Sequence, residues 1–320
     1  MIRLENSSAD NPDAANAAIG VDIGGTNHTA ALVNSAGEAI EILRGHTDRS
    51  GGPRALLESL SRLLPELMTE ARERDVTVTG LGAGFGGPVD FAAGRVLLSH
   101  HVSGWDDFPL RDELTAMSGL PVTLDNDANA GGLGEARFGA GQGASDVVYY
   151  NIGTGIGGAI ILGGQLRRGP GSIAGELGHV TIFPDGPLCT CGQRGCLEAV
   201  ASGSAIARRI SELALEWEGR PALAEDFFPL VAAGHPAAMA LRDEIARSLA
   251  IAIRNILHTL NPEVVIIGGG VSRGGALLLD PVREAVHNLA FPAAYRTCRI
   301  VLARLGYEAG VIGAAALAMS

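Results

Sequence analysis

Ile19-Gly20-Val21-Asp22-Ile23-Gly24-Gly25-Thr26 is the stretch on which the fold turns. Its first five residues read as a short apolar strand, Gly24-Gly25-Thr26 turns it, and Thr29-Ala30-Ala31-Leu32-Val33 returns. The segment is expected to be a β-hairpin whose turn is rich in backbone N–H groups. The theme recurs with strand Val147–Asn151, turn Gly153-Thr154-Gly155 and returning strand Gly158–Leu162. Laid on each other, Val21–Thr26 and Tyr150–Gly155 both place a polar residue and an isoleucine before a glycine turn. Such a repeat suggests two related domains facing each other across a cleft, although two ordinary glycine hairpins would give the same residues.

Working outward, a third strand is expected over Glu38–Arg44. A helix over Pro53–Arg74 follows, with Leu56, Leu57, Leu60, Leu63, Leu64 and Leu67 on one face and Pro65 as a point of bending. Val76–Gly82 and Pro121–Leu124 read as strands, and Leu110–Met117 as a short helix. In the second half, helices are expected at Gly203–Glu216, Ala237–Leu260, Ala276–Leu289 and Glu308–Met319, with a buried strand at Val264–Ile267. This alternation argues for an α/β protein. The expected division is a disordered tail (1–17), an N-terminal α/β domain (18–125, completed by the C-terminal helix 305–320) and a C-terminal α/β domain (126–304).

The 320 residues give room for two domains, and 47% hydrophobic content supplies a sizeable core, built on aliphatic side chains because aromatics make up only 4%. A formal charge of −11 disfavours nucleic acid as a partner. The pairs Arg167–Arg168 and Arg208–Arg209 read as solvated surface. All 24 basic residues are arginine. Without lysine there is no Walker A loop, no protein-kinase strand lysine and no Schiff-base amine. No secretory signal or membrane span is apparent, so the cytoplasm is the expected compartment.

Glycine turns of this kind make anion nests without lysine, and two of them could hold a polyphosphate, with Asp22 beside it to meet Mg²⁺ or its waters. The G-x-G-x-x-G patterns at Gly153–Gly158 and Gly82–Gly87 are not dinucleotide fingerprints, because no helix follows either one. Asp125-Asn126-Asp127-Ala128-Asn129 follows a strand and opens a helical run. It reads either as a set of helix caps or as a carboxylate that takes a proton from a substrate hydroxyl. Cys189, Cys191 and Cys196 lie within eight residues, and His179 lies ten residues before the first of them. One histidine and three cysteines make a closed tetrahedral Zn²⁺ site of the structural kind. Cys298 stands apart and reads as core. Glu176 and Glu198 bracket the cysteines, and spacing assigns them no role.

These motifs, in this order, resemble the ROK family of sugar kinases and related repressors, within the actin, hexokinase and Hsp70 superfamily. The resemblance runs from about Ile19 to Ala318. It implies two actin-like ATPase (ribonuclease H-like) domains flanking a cleft, with a zinc-binding loop over 179–196. Asp22-Ile23-Gly24-Gly25-Thr26 and Gly153-Thr154-Gly155 look like the two phosphate loops for ATP and Mg²⁺, and Gly268-Gly269-Gly270 like the adenosine segment. Gly86, Gly87 and Gly104-Trp105 look like the sugar-domain loops.

By the same resemblance Asp127 is the general base, and Asn126, Glu176, His179 and Glu198 bind sugar hydroxyls, His179 serving zinc as well. Three positions depart from the common pattern: Gly86, where many members have Pro or Ala; His101, near which many have Asn; and Ala159, where many have Gly. The implied function is phosphorylation of a hexose at its 6-hydroxyl by ATP, with glucose the leading substrate. N-acetylmannosamine, N-acetylglucosamine and fructose remain open, and a homodimer or homotetramer is the implied assembly. The alternative is a sugar-responsive transcriptional regulator, which would carry a winged helix-turn-helix ahead of the first phosphate loop. Only about twenty residues precede Asp22, too few for that domain.

Overall fold

The computed structural model describes residues 16–48, 50–98 and 104–319. The chain divides into two compact units, one running through Ala130 and resuming at Gly310, the other Gly131–Ala309. Both division points lie five residues beyond the expected ones. The first turn of the helix that begins at Asp127 packs on the first sheet, where a methyl group on Gly84 would touch Ala130 and Asp127.

The first unit contains β1 (Asn16–Ile23), β2 (Asn27–Asn34), β3 (Ala39–His46), α1 (Gly52–Glu73), β4 (Thr77–Phe85), β5 (Val89–Asp90), β6 (Arg95–Val96), α2 (Leu110–Ser118) and β7 (Val122–Asn126). Helix α3 (Asp127–Phe138) crosses into the second unit, which continues with β8 (Val147–Ile152), β9 (Ile156–Leu162), β10 (Gln165–Leu166), α4 (Leu197–Ala201), α5 (Gly203–Glu212), β11 (Glu216–Trp217) and β12 (Arg220–Pro221). Then come α6 (Phe227–Ala232), α7 (Pro236–Thr259), β13 (Val264–Gly268), α8 (Ala276–Leu289), α9 (Pro292–Thr297) and β14 (Arg299–Leu302), before α10 (Ala309–Ala318) returns to the first unit.

Each unit is built on a five-stranded mixed sheet. The orders are β3-β2-β1-β4-β7 and β10-β9-β8-β13-β14. In both, the first three strands are antiparallel and the last two run parallel to the hairpin's first strand. The expected repeat therefore extends to the whole sheet. Even the register agrees: Asp22 pairs with Gly84 on β4, and Asn151 pairs with Gly268 on β13.

Strand β1 is buried along nearly its whole length, as a central strand covered on both faces must be. Helix α1 lays Leu56, Leu60, Leu64, Leu67 and Ala71 on the sheet, with Leu57 and Leu63 only half-buried. Pro65 sits on its exposed side, and the helix continues past it. On α10 the helix backbone itself meets the sheet. A methyl group on Gly20 would collide with the Val311 carbonyl, and one on Gly82 with that of Ala314. Glycine is what permits this approach.

Several expectations need correction. The expected tail falls on residues outside those described, except Asn16 and Ala17, which open β1; Ala17 is fully buried between Asn34 and Val78. His101 also lies outside them. The helix expected through Glu216 stops at Glu212, because Ala214 takes φ +46° and the chain then forms the β11–β12 hairpin. Strand β14, not expected from the sequence, supplies the fifth strand of the second sheet. Among the described residues no helix is long and apolar enough to cross a membrane.

Candidate functional site

In the first unit the Gly24–Thr26 turn closes through the Gly24 N–H, which donates to the Asn27 carbonyl at 3.0 Å. Thr47 braces it: its hydroxyl donates to the Gly24 carbonyl at 3.0 Å, and its N–H to that of Thr26 at 2.9 Å. Asp22, at the end of β1, faces the start of α10, where a methyl group on Gly310 would lie 2.5 Å from its carboxylate. Desolvation by burial pushes the Asp22 carboxyl up to about 6.

Asp127 opens α3 directly after β7. Its Oδ1 accepts the Ala128 N–H at 2.8 Å, and its Oδ2 lies 3.6 Å from the point a methyl group on Gly86 would occupy. Gly86 in turn donates its N–H to the Ile23 carbonyl at 3.0 Å. The first glycine turn, the Gly86–Gly87 loop and Asp127 are thus gathered within one unit. A methyl group at Gly86 would meet only ordinary contacts, so an alanine would fit there.

Asn126 fills the capping role considered for its segment. Its Oδ1 accepts the N–H groups of Ala128 and Asn129, at 2.9 and 3.3 Å, and its Nδ2 donates to the Gly87 carbonyl at 3.1 Å. Trp105 is buried against Phe85 and Phe108, with ring centroids 4.7 and 5.3 Å apart.

In the second unit His179, Cys189, Cys191 and Cys196 bring their ligand atoms within 4.8 Å of one another. Cys191 Sγ and Cys196 Sγ are 3.7 Å apart, and Cys189 Sγ is 3.6 Å from His179 Nδ1. A tetrahedral Zn²⁺ with Zn–S of about 2.3 Å requires sulfur–sulfur edges of about 3.8 Å, so the residues fit the ion. Burial beside the other thiols pushes Cys196 up to about 12, a cost that a bound cation would relieve. With Nδ1 turned to the sulfurs, His179 directs Nε2 towards the exposed Glu176, 3.9 Å away. Cys298 is buried on the second sheet, apart from this cluster.

The Gly153–Gly155 turn closes from the Gly153 N–H to the Gly155 carbonyl at 2.9 Å. Its other carbonyls are taken by the N-terminus of α5: Gly203 N–H donates to Gly153 at 2.8 Å and Ser204 N–H to Thr154 at 3.2 Å. Ser202 caps that helix by accepting the Ala205 N–H. Glu198 reaches the same turn, its Oε2 accepting the Ile156 N–H at 2.9 Å. The Gly268-Gly269-Gly270 segment passes close by, since a methyl group on Gly269 would lie 2.5 Å from the Ile152 carbonyl and 2.7 Å from Asn151 Oδ1. Ala159 is fully buried, and its methyl fills the space that Gly132 leaves empty on α3.

Sequence reasoning missed Thr47, Thr190 and Glu135. Thr190 donates to Glu198 Oε1 at 3.1 Å. Glu135 is wholly buried, and its carboxylate accepts N–H groups from Ala140, Arg304 and Leu305 at 2.8, 3.1 and 2.7 Å. Three such donors offset the cost of burying a charge. The available signal was a carboxylate in the interior of a helix rich in alanine and glycine; the two threonines gave none.

The model of the ROK family matches residues 18–320. The glucokinase of Thermotoga maritima is 39% identical over 309 residues, 93% of this chain and 96% of its own. The N-acetylmannosamine kinase of Escherichia coli is 33% identical over 306 residues, covering 94% of this chain and 97% of its own. Among solved structures, a ROK family glucokinase from Streptomyces griseus in complex with glucose and AMPPNP superposes with a TM-score of 0.78 at 35% identity, covering 95% of this chain and 99% of that one. Two sheets of one topology, two glycine turns and a His-Cys₃ cluster agree with that match across the whole described chain, which belongs to the ROK family.

Proposed function

We infer that the chain is an ATP-dependent hexose kinase, and we propose that it transfers the γ-phosphoryl group to the 6-hydroxyl of its sugar, with glucose the leading substrate. The observation that carries this reading is the grouping of the first glycine turn, the Gly86–Gly87 loop and the Asp127 carboxylate within one unit. In the proposed reaction Asp127 accepts the proton of the sugar hydroxyl as that oxygen attacks the γ-phosphorus, and the bond to the β-phosphate oxygen breaks to leave ADP.

The turns Gly24-Gly25-Thr26 and Gly153-Thr154-Gly155, each closed by the N–H of its first glycine, would cradle the phosphates on the backbone that follows. Gly268, Gly269 and Gly270 flank the adenosine. Asp22 is the carboxylate that would meet Mg²⁺; its desolvated carboxyl gains most from a nearby cation. Glu176, His179 and Glu198 bind sugar hydroxyls, and backbone groups near Gly86 and Gly87 assist. Asn126 binds a sugar hydroxyl as well as fixing the Gly87 carbonyl, because its Nδ2 carries two protons and that carbonyl takes one. Zn²⁺, held by His179, Cys189, Cys191 and Cys196, would pin the loop that carries Glu176 and His179, a structural use of the metal.

A coupled ADP-release assay with Mg-ATP against glucose, mannose, fructose, N-acetylglucosamine and N-acetylmannosamine tests the proposal. Strong turnover on glucose is expected. Preference for N-acetylmannosamine would favour the second reading, which the Escherichia coli relative supports. Asp127→Asn should lower kcat by at least about a hundredfold while sugar binding, measured by calorimetry, stays within a fewfold of the wild type. Loss of sugar binding instead would make Asp127 structural.

A further inference from the structure

We propose that Glu198, held by Thr190 of the cysteine loop, is a strut that sets the position of the second glycine turn, so that the zinc loop positions the nucleotide as well as the sugar. This rests on the reading that Gly153–Gly155 receives nucleotide phosphate. The two oxygens of Glu198 point to different partners. Oε2 accepts the Ile156 N–H at 2.9 Å, immediately after the turn, and a methyl group on Gly155 would lie 2.5 Å from it. Oε1 accepts the Thr190 hydroxyl at 3.1 Å. Thr190 stands between two of the zinc-ligand candidates, Cys189 and Cys191.

The other end of the cluster rests on the same hairpin. Gly178, next to His179, lies so close to Ile156 that a methyl group would collide with the Ile156 carbonyl, and one on Gly158 would lie 2.6 Å from the Leu177 side chain. Both halves of the cysteine–histidine loop therefore bear on the start of β9. With its second oxygen held, the carboxylate leaves the Ile156 N–H less often, and the turn is biased to one geometry before nucleotide arrives.

Thr190→Val keeps the shape of the side chain and removes only the hydroxyl. Mg-AMPPNP should then bind about three- to tenfold more weakly, the worth of one hydrogen bond. The Ile156 amide should exchange faster in hydrogen exchange, and zinc content should stay at the wild-type level. Thr190→Ser, which restores the hydroxyl, should restore both readings. Unchanged nucleotide affinity and Ile156 exchange in Thr190→Val would overturn the strut, as would an equal loss in Thr190→Ser. If wild-type protein failed to bind Mg-AMPPNP, the kinase reading would fall with the nucleotide part of the inference. The Ile156 exchange rates would still decide whether the strut exists.

Discussion

The two glycine turns occupy the same place in two sheets of the same strand order, yet they are braced by different means. The first is braced by Thr47 and follows a carboxylate, Asp22, whose proton affinity is raised by burial. The second follows an uncharged Asn151 and is held from several sides, by the N-terminus of α5, by Glu198 and by the loop of the cysteine cluster. A repeated scaffold has been specialised: one copy ends its first strand in a carboxylate, and the other receives its carboxylate, Glu198, from the segment of the cysteine cluster. Backbone topology alone would have hidden this, since strand orders and register agree.

The largest test of that contrast is removal of the proposed zinc. Chelation of zinc, or Cys191→Ser, should lower the melting temperature by about 10 °C or more, because a structural zinc site contributes folding energy directly. Hydrogen exchange should rise over 153–160 and 177–200 and stay unchanged over 16–34. Equal loss of protection at both turns would break the comparison. Metal analysis of freshly purified protein should return one zinc per chain.

Next in size is a glycine pair on one turn. Gly155→Ala drives a methyl group against Glu198 and should weaken nucleotide binding at least about tenfold, whereas Gly153→Ala enters open space and should change it less than about threefold. Titration calorimetry with Mg-AMPPNP reads both.

An effect on stability rather than on binding belongs to Asp22. Its folded pKa of about 6 lies above the unfolded value of 3.8, so between them the native state holds more protons. The stability of the ligand-free protein should fall as pH rises through that window, by up to about 3 kcal/mol, and level off above it. Asp22→Asn should flatten the slope in denaturant titrations at several pH values. Smallest is Thr47→Val, which removes one hydrogen bond to the first turn and should cost about 1 kcal/mol in the same titrations.

Much of the scaffold was legible because it rests on local pattern. The hairpins, the leucine face of α1 and the buried run at Val264–Ile267 are set by hydrophobic period and turn residues. Strand β14 was not, because four residues after a short helix give no period to read. The cysteine cluster was legible from spacing, and its distances bear out a set of residues able to hold a metal. The partners of Glu198, Thr47 and Glu135 were not, since the bonds join residues 5 to 170 apart in sequence. Asn126 shows the limit from another side: its type suits both capping and ligand binding, and the capping became visible only with its partners.

The packing of α10 has a consequence for the order of events at the ribosome. The first unit is closed by a helix whose backbone lies against Gly20 and Gly82, and that helix emerges only after the whole of the second unit has been made. At ~5–20 residues per second, the first sheet waits roughly 10–40 s with its glycine-lined face uncovered. The second unit, continuous in the chain, can complete itself during that interval. The unit synthesised earlier is the one whose last element is synthesised later.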